Sequence, residues 1–140
     1  MARSRRALVL DTWSVVAYFD GESSGEVVAD LIADAHDSAA PVSMSVVNAG
    51  ELWYLIARRV SAKDADESIS ALRQLGVQLA DIDWYVAHLA AGFKARHRMS
   101  YADCFAAALA KQVKAELVTG DPDFRQVQDE IKIVWLKNSG

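Results

Sequence analysis

The sequence has few of the residues that interrupt or cross-link a chain. Its 140 residues include only two prolines and seven glycines, too few for a long disordered linker. A single cysteine, Cys104, excludes an internal disulfide and fits a protein made for a reducing cytoplasm. Because Cys104 lies in an alanine-rich apolar segment, a small buried side chain is favoured over a reactive thiol. We therefore assign residues 1–140 to one domain.

Long apolar runs are also absent. No segment approaches the roughly 18 apolar residues of a transmembrane helix. The apolar run at residues 7–10, which follows Arg3, Arg5 and Arg6, is shorter than the roughly 7–15 residues that a signal peptide needs. We expect a cytoplasmic protein without a membrane partner, and we expect residues 1–6 to form a disordered extension.

Neither sign of charge dominates. A net charge of −4 argues weakly against a nucleic-acid partner. A composition of 52% hydrophobic and 24% charged residues is typical of a globular domain. The basic residues are clustered, however, and each cluster is placed to contact a phosphate backbone. A solvated basic face remains the alternative. The two clusters are Arg58 with Arg59, and Lys94 with Arg96, His97 and Arg98.

Short β-rich runs alternate with longer helical patterns. Strands are predicted at residues 7–10, 41–44, 77–80, 115–119 and 131–136. Helices are predicted at 12–19, after Ser23 or Ser24, from Ser45 to Val60, after the capping box 61–64 until Gly76, after Asp83, and from Ser100 to about Val113. This alternation predicts an α/β fold with a parallel sheet covered on both faces, in which binding sites lie beyond the carboxyl ends of the strands.

Some large side chains are predicted to be buried. The apolar helix faces are expected to include Val27, Leu75 and Tyr85. The four tryptophans are expected in the core or in an interface rather than as platforms for stacked bases. They are Trp13, Trp53, Trp84 and Trp135.

Acidic residues are placed at the predicted binding edge of the sheet. Asp11 follows the first strand, and Asp121 and Asp123 follow the fourth. Glu51 lies in the helix after the second strand, and Asp103 lies in the first turn after Ser100. Two carboxylates about 4 Å apart repel by about 4 kcal/mol at an effective dielectric near 20. Such a cluster therefore requires protonation or divalent cations.

Oxygen ligands alone favour Mg²⁺ or Mn²⁺ over zinc. The three histidines have no close paired spacing that would complete a zinc site. Hard cations held by carboxylates suit phosphoryl chemistry, because they bind phosphate and lower the pKa of water. The sequence therefore predicts a metal-dependent nuclease.

Local structure offers alternative explanations for some of these acids. Residues 100–103 form a capping box like the one at 61–64, although Asp103 opens an apolar helix in which a carboxylate needs a partner. Residues 120–123 have good turn chemistry. For Asp11 and Glu51 the sequence offers little explanation in local structure. Asn48 is placed to orient the Glu51 carboxylate or a metal-bound water.

Four segments, in this order and spacing, resemble the PIN-domain nucleases, and especially the VapC-type toxins of prokaryotic toxin–antitoxin pairs. The resemblance covers nearly the whole chain. The segments are Leu10-Asp11-Thr12, Asn48-Ala49-Gly50-Glu51, Ser100-Tyr101-Ala102-Asp103 and Thr119-Gly120-Asp121-Pro122-Asp123-Phe124.

The resemblance implies an α/β/α sandwich with strand order 3-2-1-4-5 and Mg²⁺- or Mn²⁺-dependent endoribonuclease activity. It also implies a homodimer and an antitoxin that blocks the site. Trp13 departs from the pattern, because relatives often carry a smaller residue there. By position, the metal site for one or two ions would comprise Asp11, Glu51, Asp103 and Asp121, with Asp123 as a further ligand and with support from Thr12, Asn48, Ser100 and Thr119.

Two alternatives remain open. The protein could be a nuclease of RNA processing, or one acting on DNA, without an antitoxin. It could also be a non-catalytic interaction domain that kept the fold. Loss of one or more site carboxylates would indicate the interaction domain, and all of them are present.

Overall fold

A five-stranded sheet with all its strands parallel forms the centre of the computed structural model, which describes residues 6–137. The spatial order is β3-β2-β1-β4-β5, as the resemblance implied. The central pairing places Leu10 opposite Val118, so the chain leaves β1 and β4 at the same edge. The strands are β1 (Leu8–Leu10), β2 (Val42–Ser45), β3 (Val77–Ala80), β4 (Glu116–Thr119) and β5 (Lys132–Trp135).

Six α-helices connect the strands within residues 6–137, and three of them begin at a side-chain cap that the sequence predicted, namely Ser61, Asp83 and Ser100. The prediction that Ser23 or Ser24 caps α2 was wrong, because that helix begins after Glu22 without a side-chain cap. Ser45, Ser61 and Ser100 each accept a hydrogen bond from the backbone N–H three residues later, and Asp83 caps in the same way. The predicted turn at 120–123 leads into a 3₁₀ helix, Pro122–Val127. The α-helices are α1 (Thr12–Phe19), α2 (Ser23–Asp37), α3 (Val46–Arg59), α4 (Ala62–Gln74), α5 (Trp84–Arg96) and α6 (Tyr101–Gln112).

Alternate residues of the central strands pack into two separate hydrophobic cores, one on each face of the sheet. Val9 and Leu117 pack with α5, α6 and the 3₁₀ helix, in a core that contains Phe93 and Phe124. Leu8, Leu10 and Val118 pack with α1 to α4 in the other core. The chain is therefore a three-layer α/β/α sandwich, which confirms the predicted fold class. Within residues 6–137, no helix combines the length and apolarity needed to cross a membrane.

Helix α6 is buried almost throughout. Cys104 is fully buried beside Ala106, Ala107 and Ala108, as expected for a small apolar side chain. Burial raises the pKa of its thiol. Small residues suit this position, because α6 packs against α3, α5 and the sheet at the same time.

Several burial predictions were wrong. Val27, Leu75 and Tyr85 are 47%, 37% and 59% exposed. The buried stripe of α2 runs through Val28 and Ile32, so Val27 points about 100° away from it. Tyr85 is displaced from the α5 stripe in the same way, and Leu75 lies in the cap after α4.

None of the four tryptophans belongs to the fully buried core, so their expected place in an interface stays a prediction. Trp53, Trp84 and Trp135 are 37%, 76% and 40% exposed, and Trp13 is half-buried. The predicted disordered extension lies outside the described residues for positions 1–5. Arg6, the last residue of that extension, places its guanidinium 3.7 Å from the carboxylate of Glu116.

Helices α1 and α2 approach so closely that one glycine has no room for a side chain. A Cβ at Gly25 would lie 2.3 Å from the Ala17 carbonyl oxygen and 2.8 Å from the Tyr18 Cα. We expect Gly25→Ala to lower the free energy of unfolding by about 1–3 kcal/mol, because backbone must shift to admit the methyl group. Urea denaturation followed by circular dichroism would measure the change.

Gly50 provides the matched control, because it also lies in a helix and a Cβ there would meet nothing within 4 Å. We expect Gly50→Ala to be neutral or stabilising by about 0.5–1 kcal/mol. Equal stability of the two variants would contradict the close helix approach.

Candidate active site

The site begins where β1 and β4 end side by side. Asp11 follows β1 directly, and Thr119 is the last residue of β4. The Thr119 hydroxyl donates a 2.5 Å hydrogen bond to Asp11 Oδ2 and accepts a 3.1 Å bond from the backbone N–H of Asp121. One threonine thus joins two acidic segments that lie far apart in sequence.

Asp11 is buried and has a second structural role. Its Oδ1 accepts a 2.9 Å hydrogen bond from the backbone N–H of Ser14, so it caps α1. Burial raises the pKa of Asp11 from 3.8 to about 7, against the lowering effect of the hydrogen bonds from Thr119 and Ser14. The expectation that Asp11 has little else to do locally was therefore wrong.

Asp103 reaches the same edge from the first turn of α6. Its backbone N–H donates to Ser100 Oγ at 3.1 Å, as the capping-box pattern predicted. Burial raises the pKa of Asp103 from 3.8 to about 6, and the negative charge of Asp121 adds to the rise, as do those of Glu51 and Asp123. Asp103 therefore takes part in a helix cap through its backbone N–H, while its carboxylate belongs to a repulsive cluster.

Three carboxylates come close enough to share one ion. Oxygens of Asp103, Asp121 and Asp123 all lie within 4.8 Å of one another. Opposite ligands of a hard cation are separated by about 4–5 Å, because metal–oxygen distances are about 2.0–2.6 Å. Asp121 also caps the 3₁₀ helix, since its Oδ1 accepts from the Asp123 N–H at 2.9 Å. The donor set is all-oxygen and fits Mg²⁺ or Mn²⁺.

A cavity of about 620 Å³ opens beside this group. Glu51 lines it from the second turn of α3, together with Asp103 and Asp121. Thr12 and Ser100 also reach it. The structure therefore brings all five predicted acids to one edge of the sheet. Asp103, Asp121 and Asp123 form a tight group, Glu51 lines the adjoining cavity, and Asp11 is buried in the protein interior.

Asn48 has a different role from the one predicted. Its side-chain N–H donates to the Ala102 carbonyl at 3.1 Å, and its Oδ1 accepts from the Ser45 hydroxyl at 2.6 Å. The amide therefore ties α3 to the first turn of α6 instead of contacting the Glu51 carboxylate. Sequence reasoning missed Ser45 as a site residue, although its spacing of three from Asn48 was the available signal. Thr12 is attached to the same region, because its hydroxyl donates to the Asn48 carbonyl at 3.4 Å.

The predicted phosphate-contacting residues do not line the cavity, whose walls are formed by other side chains. Most of them have contacts within the protein. These are Arg58 over the Tyr54 ring at 5.0 Å, Arg59 with Asp20 at 3.7 Å, Lys94 Nζ donating to the Met99 carbonyl at 2.7 Å, Arg96 with Glu130 at 3.2 Å, and the backbone N–H of Arg98 donating to the Gln126 side chain at 2.9 Å.

The two capping boxes provide a test of the repulsive cluster. We expect Asp103→Asn to leave the metal-free protein at least as stable as the wild type above pH 7, because it removes repulsion from Asp121, Glu51 and Asp123. Asp64, which lies in the other capping box, is the control. Asp64→Asn removes a charge at the start of α4 and should lower the free energy of unfolding by about 0.3–1 kcal/mol. Thermal unfolding in EDTA would compare them. A clear loss of stability in Asp103→Asn would mean that Asp103 only stabilises the start of α6 and is not repelled by the other acids.

The raised pKa values also predict how stability depends on pH. The folded pKa of Asp103, about 6, exceeds the unfolded value of 3.8, so the folded state binds this proton more tightly. Its contribution to stability is present below pH 3.8 and is lost as the pH rises through about 6. We expect the melting temperature of Asp103→Asn, relative to the wild type, to increase over that window in EDTA. A pH-independent difference would contradict the shift.

The chain matches a known protein family. A family model for the PIN domain matches residues 8–130. No curated protein sequence matches the chain.

Similar folds occur among solved structures of toxin–antitoxin proteins. VapBC2 from Rickettsia felis, bound to a promoter DNA fragment, superposes with a TM-score of 0.72 at 16% identity, covering 94% of this chain and 99% of that one. VapC20 from Mycobacterium tuberculosis, a toxin that cleaves the sarcin–ricin loop, gives 0.68 at 20%, covering 86% and 94%. FitAcB from Neisseria gonorrhoeae gives 0.64 at 24%, covering 94% and 97%.

At identities this low, these superpositions establish a shared fold and nothing more specific. The family match spans most of the chain and includes every acid of the cluster. The protein therefore belongs to the PIN-domain family.

Proposed function

We propose that this protein is a Mg²⁺- or Mn²⁺-dependent endoribonuclease. The observation that carries the proposal is the group of carboxylates from Asp103, Asp121 and Asp123, within 4.8 Å of one another at the mouth of a cavity. Such a group is electrostatically unfavourable without a cation, and its oxygen ligands match the cations that serve phosphoryl transfer. PIN domains are typically nucleases that use divalent metal, which supports the same conclusion.

Each residue has a distinct task in this scheme. Asp103 and Asp121 would hold one or two ions, with Asp123 as a further ligand at the exposed side and Glu51 in the lining of the same cavity. Asp11 supplies negative charge from beneath and is oriented by Thr119. Thr12, Asn48 and Ser100 fix the chain segments that carry the acids. When bound, the cations polarise the phosphodiester, acidify a water and stabilise the leaving oxygen.

The biological role we propose is that of the toxin in a type II toxin–antitoxin system. The support is the fold shared with VapBC and FitAB structures, one of which contains a toxin that cleaves the sarcin–ricin loop. In this role the protein acts on RNA in the cytoplasm as a homodimer, and a cognate antitoxin blocks the site. A small DNA-binding protein encoded in the adjacent reading frame would be the partner to look for.

An RNA-cleavage assay tests the metal-dependent reaction. We expect cleavage with Mg²⁺ or Mn²⁺, none with EDTA, and a loss of at least about 100-fold in Asp11→Asn, because a buried charge beside the ions is removed. Asparagine also caps helices well, so α1 should remain folded. Activity that survives EDTA or the substitution would overturn the mechanism.

Asp83 is the matched control. It caps α5 through a 3.0 Å bond from the Val86 N–H, with the geometry that Asp11 has at α1, and it does not line the cavity. We expect Asp83→Asn to retain activity. Cleavage of DNA but not RNA would favour the alternative nuclease. If the protein cleaves neither RNA nor DNA, with or without metal, an interaction domain would be favoured.

A further inference from the structure

The cavity beside the carboxylates is lined by two chemically different groups of side chains. The acidic group, called the acidic wall, comprises Glu22, Glu51, Asp103 and Asp121. The apolar group, called the apolar wall, comprises Trp13, Val16, Ala17 and Leu55. Cation and phosphate binding require only the acidic wall. Trp13 and Val16 pack against the core, but Trp13 stays half-buried and also lines the cavity. The apolar wall therefore needs a separate explanation, because a half-buried indole gives up part of the free energy that full burial would provide.

The Trp13 ring is held in place by a glycine. A Cβ at Gly120 would lie 2.3–2.7 Å from three atoms of the six-membered ring of Trp13. Gly120 is not among the glycines with positive φ, which are Gly21 and Gly76, so its backbone conformation does not require glycine. The missing side chain at Gly120 is what makes room for the indole. Trp13 therefore packs closely on Gly120 and also lines the cavity.

Both members of this pair lie next to the acidic segments. Trp13 follows Asp11 by two residues in the first turn of α1, and Gly120 directly precedes Asp121. A phosphodiester held at the carboxylates would place the base of its own or the adjacent nucleotide within reach of the apolar wall. The volume, about 620 Å³, lies in the range of roughly 300–1,000 Å³ that ligand pockets occupy.

We propose that Trp13, supported by Val16 and Leu55, is a stacking platform for one unpaired base of single-stranded RNA beside the scissile phosphate. This subsite rests on the proposed nuclease function and defines its substrate as a single-stranded segment. In a duplex every base is already stacked between its neighbours, so its face is inaccessible to an indole. A stacking wall of this kind selects unpaired bases while tolerating different base identities, because every base has a π-face.

The other explanation is that Trp13 only packs against Gly120 and stabilises the loop that carries Asp121. The two explanations differ in what RNA binding does to the indole. A stacked base quenches its fluorescence and adds affinity that depends on that base, whereas a purely structural ring does neither.

Equilibrium titration with a single-stranded RNA of about 10 nucleotides tests the platform. All the proteins that are compared carry Asp11→Asn, so that the RNA is not cleaved, and Mg²⁺ is present. We expect RNA to quench the intrinsic fluorescence, and Trp13→Leu to remove most of that quenching and raise Kd by about 5- to 150-fold, the worth of one stacked base. Trp13→Phe, which keeps a smaller ring, should raise Kd less.

Trp53 provides the control, because its indole N–H donates to Asp66 on α4 at 2.9 Å and it does not line the cavity. Trp53→Phe should retain both the affinity and most of the quenching. A double-stranded RNA of the same length should bind without dependence on Trp13. Equal Kd and equal quenching in Trp13→Leu and Trp53→Phe would overturn the platform.

A second measurement leaves Trp13 unchanged and covers the case in which Trp13→Leu does not fold. A single abasic residue is moved along the RNA, and we expect one position to lose about 5-fold or more in affinity together with the fluorescence quenching. No sensitive position, or no binding of single-stranded RNA, would overturn the proposal.

The outcomes separate this subsite from the reaction. Binding and quenching that depend on Trp13, in a protein whose wild type cleaves no RNA, would leave the subsite standing and reject the nuclease. Cleavage by the wild type, with binding indifferent to Trp13, would reject the subsite alone.

Discussion

A buried hydrogen bond between Thr119 and Asp11 is the contact on which the site depends. It joins the ends of the two central strands across 108 positions of sequence. The same threonine oxygen accepts from the Asp121 N–H, so the loop after β4 is anchored to the same atom. Parallel pairing of β1 with β4 makes this possible, because it brings the two strand ends to one edge. Without that register, Asp11 would be a buried charge with no partner in β4.

Around this contact the fold keeps several carboxylates close together at a cost in electrostatic energy. The raised pKa values of Asp11 and Asp103 are the sign of that cost, because each group is desolvated and lies near other negative charges. Local structure offsets part of it. Asp11, Asp121 and Ser100 all cap helices, so the backbone that builds the site also provides hydrogen bonds to its polar atoms. Cations would remove the remaining repulsion, which couples metal binding to stability.

Helix α6 links this electrostatic arrangement to the core. Its run of small buried residues lets it pack tightly against three elements, and the Asn48 amide fixes its first turn to α3. Asp103 is therefore placed by packing as much as by its own cap. The packing of Trp13 on Gly120 ties α1 to the loop that carries Asp121. The apolar and acidic side chains of the cavity are therefore linked through this loop.

The sequence alone determined the layering, the parallel sheet and the five acids at its carboxyl edge. These depend on local signals: residues three apart for caps, the strand and helix periods, and the rule for where sites lie in such sheets. Only the tertiary structure decided which acids touch, because the distance between Asp103 and Asp121 depends on how α6 and the loop after β4 pack. It also turned Asn48 from an expected partner of Glu51 into a tie between helices 54 positions apart. The contacts of the basic clusters and the exposure of the tryptophans could not be read from the sequence for the same reason, since exposure and pairing are properties of packed surfaces rather than of sequence spacing.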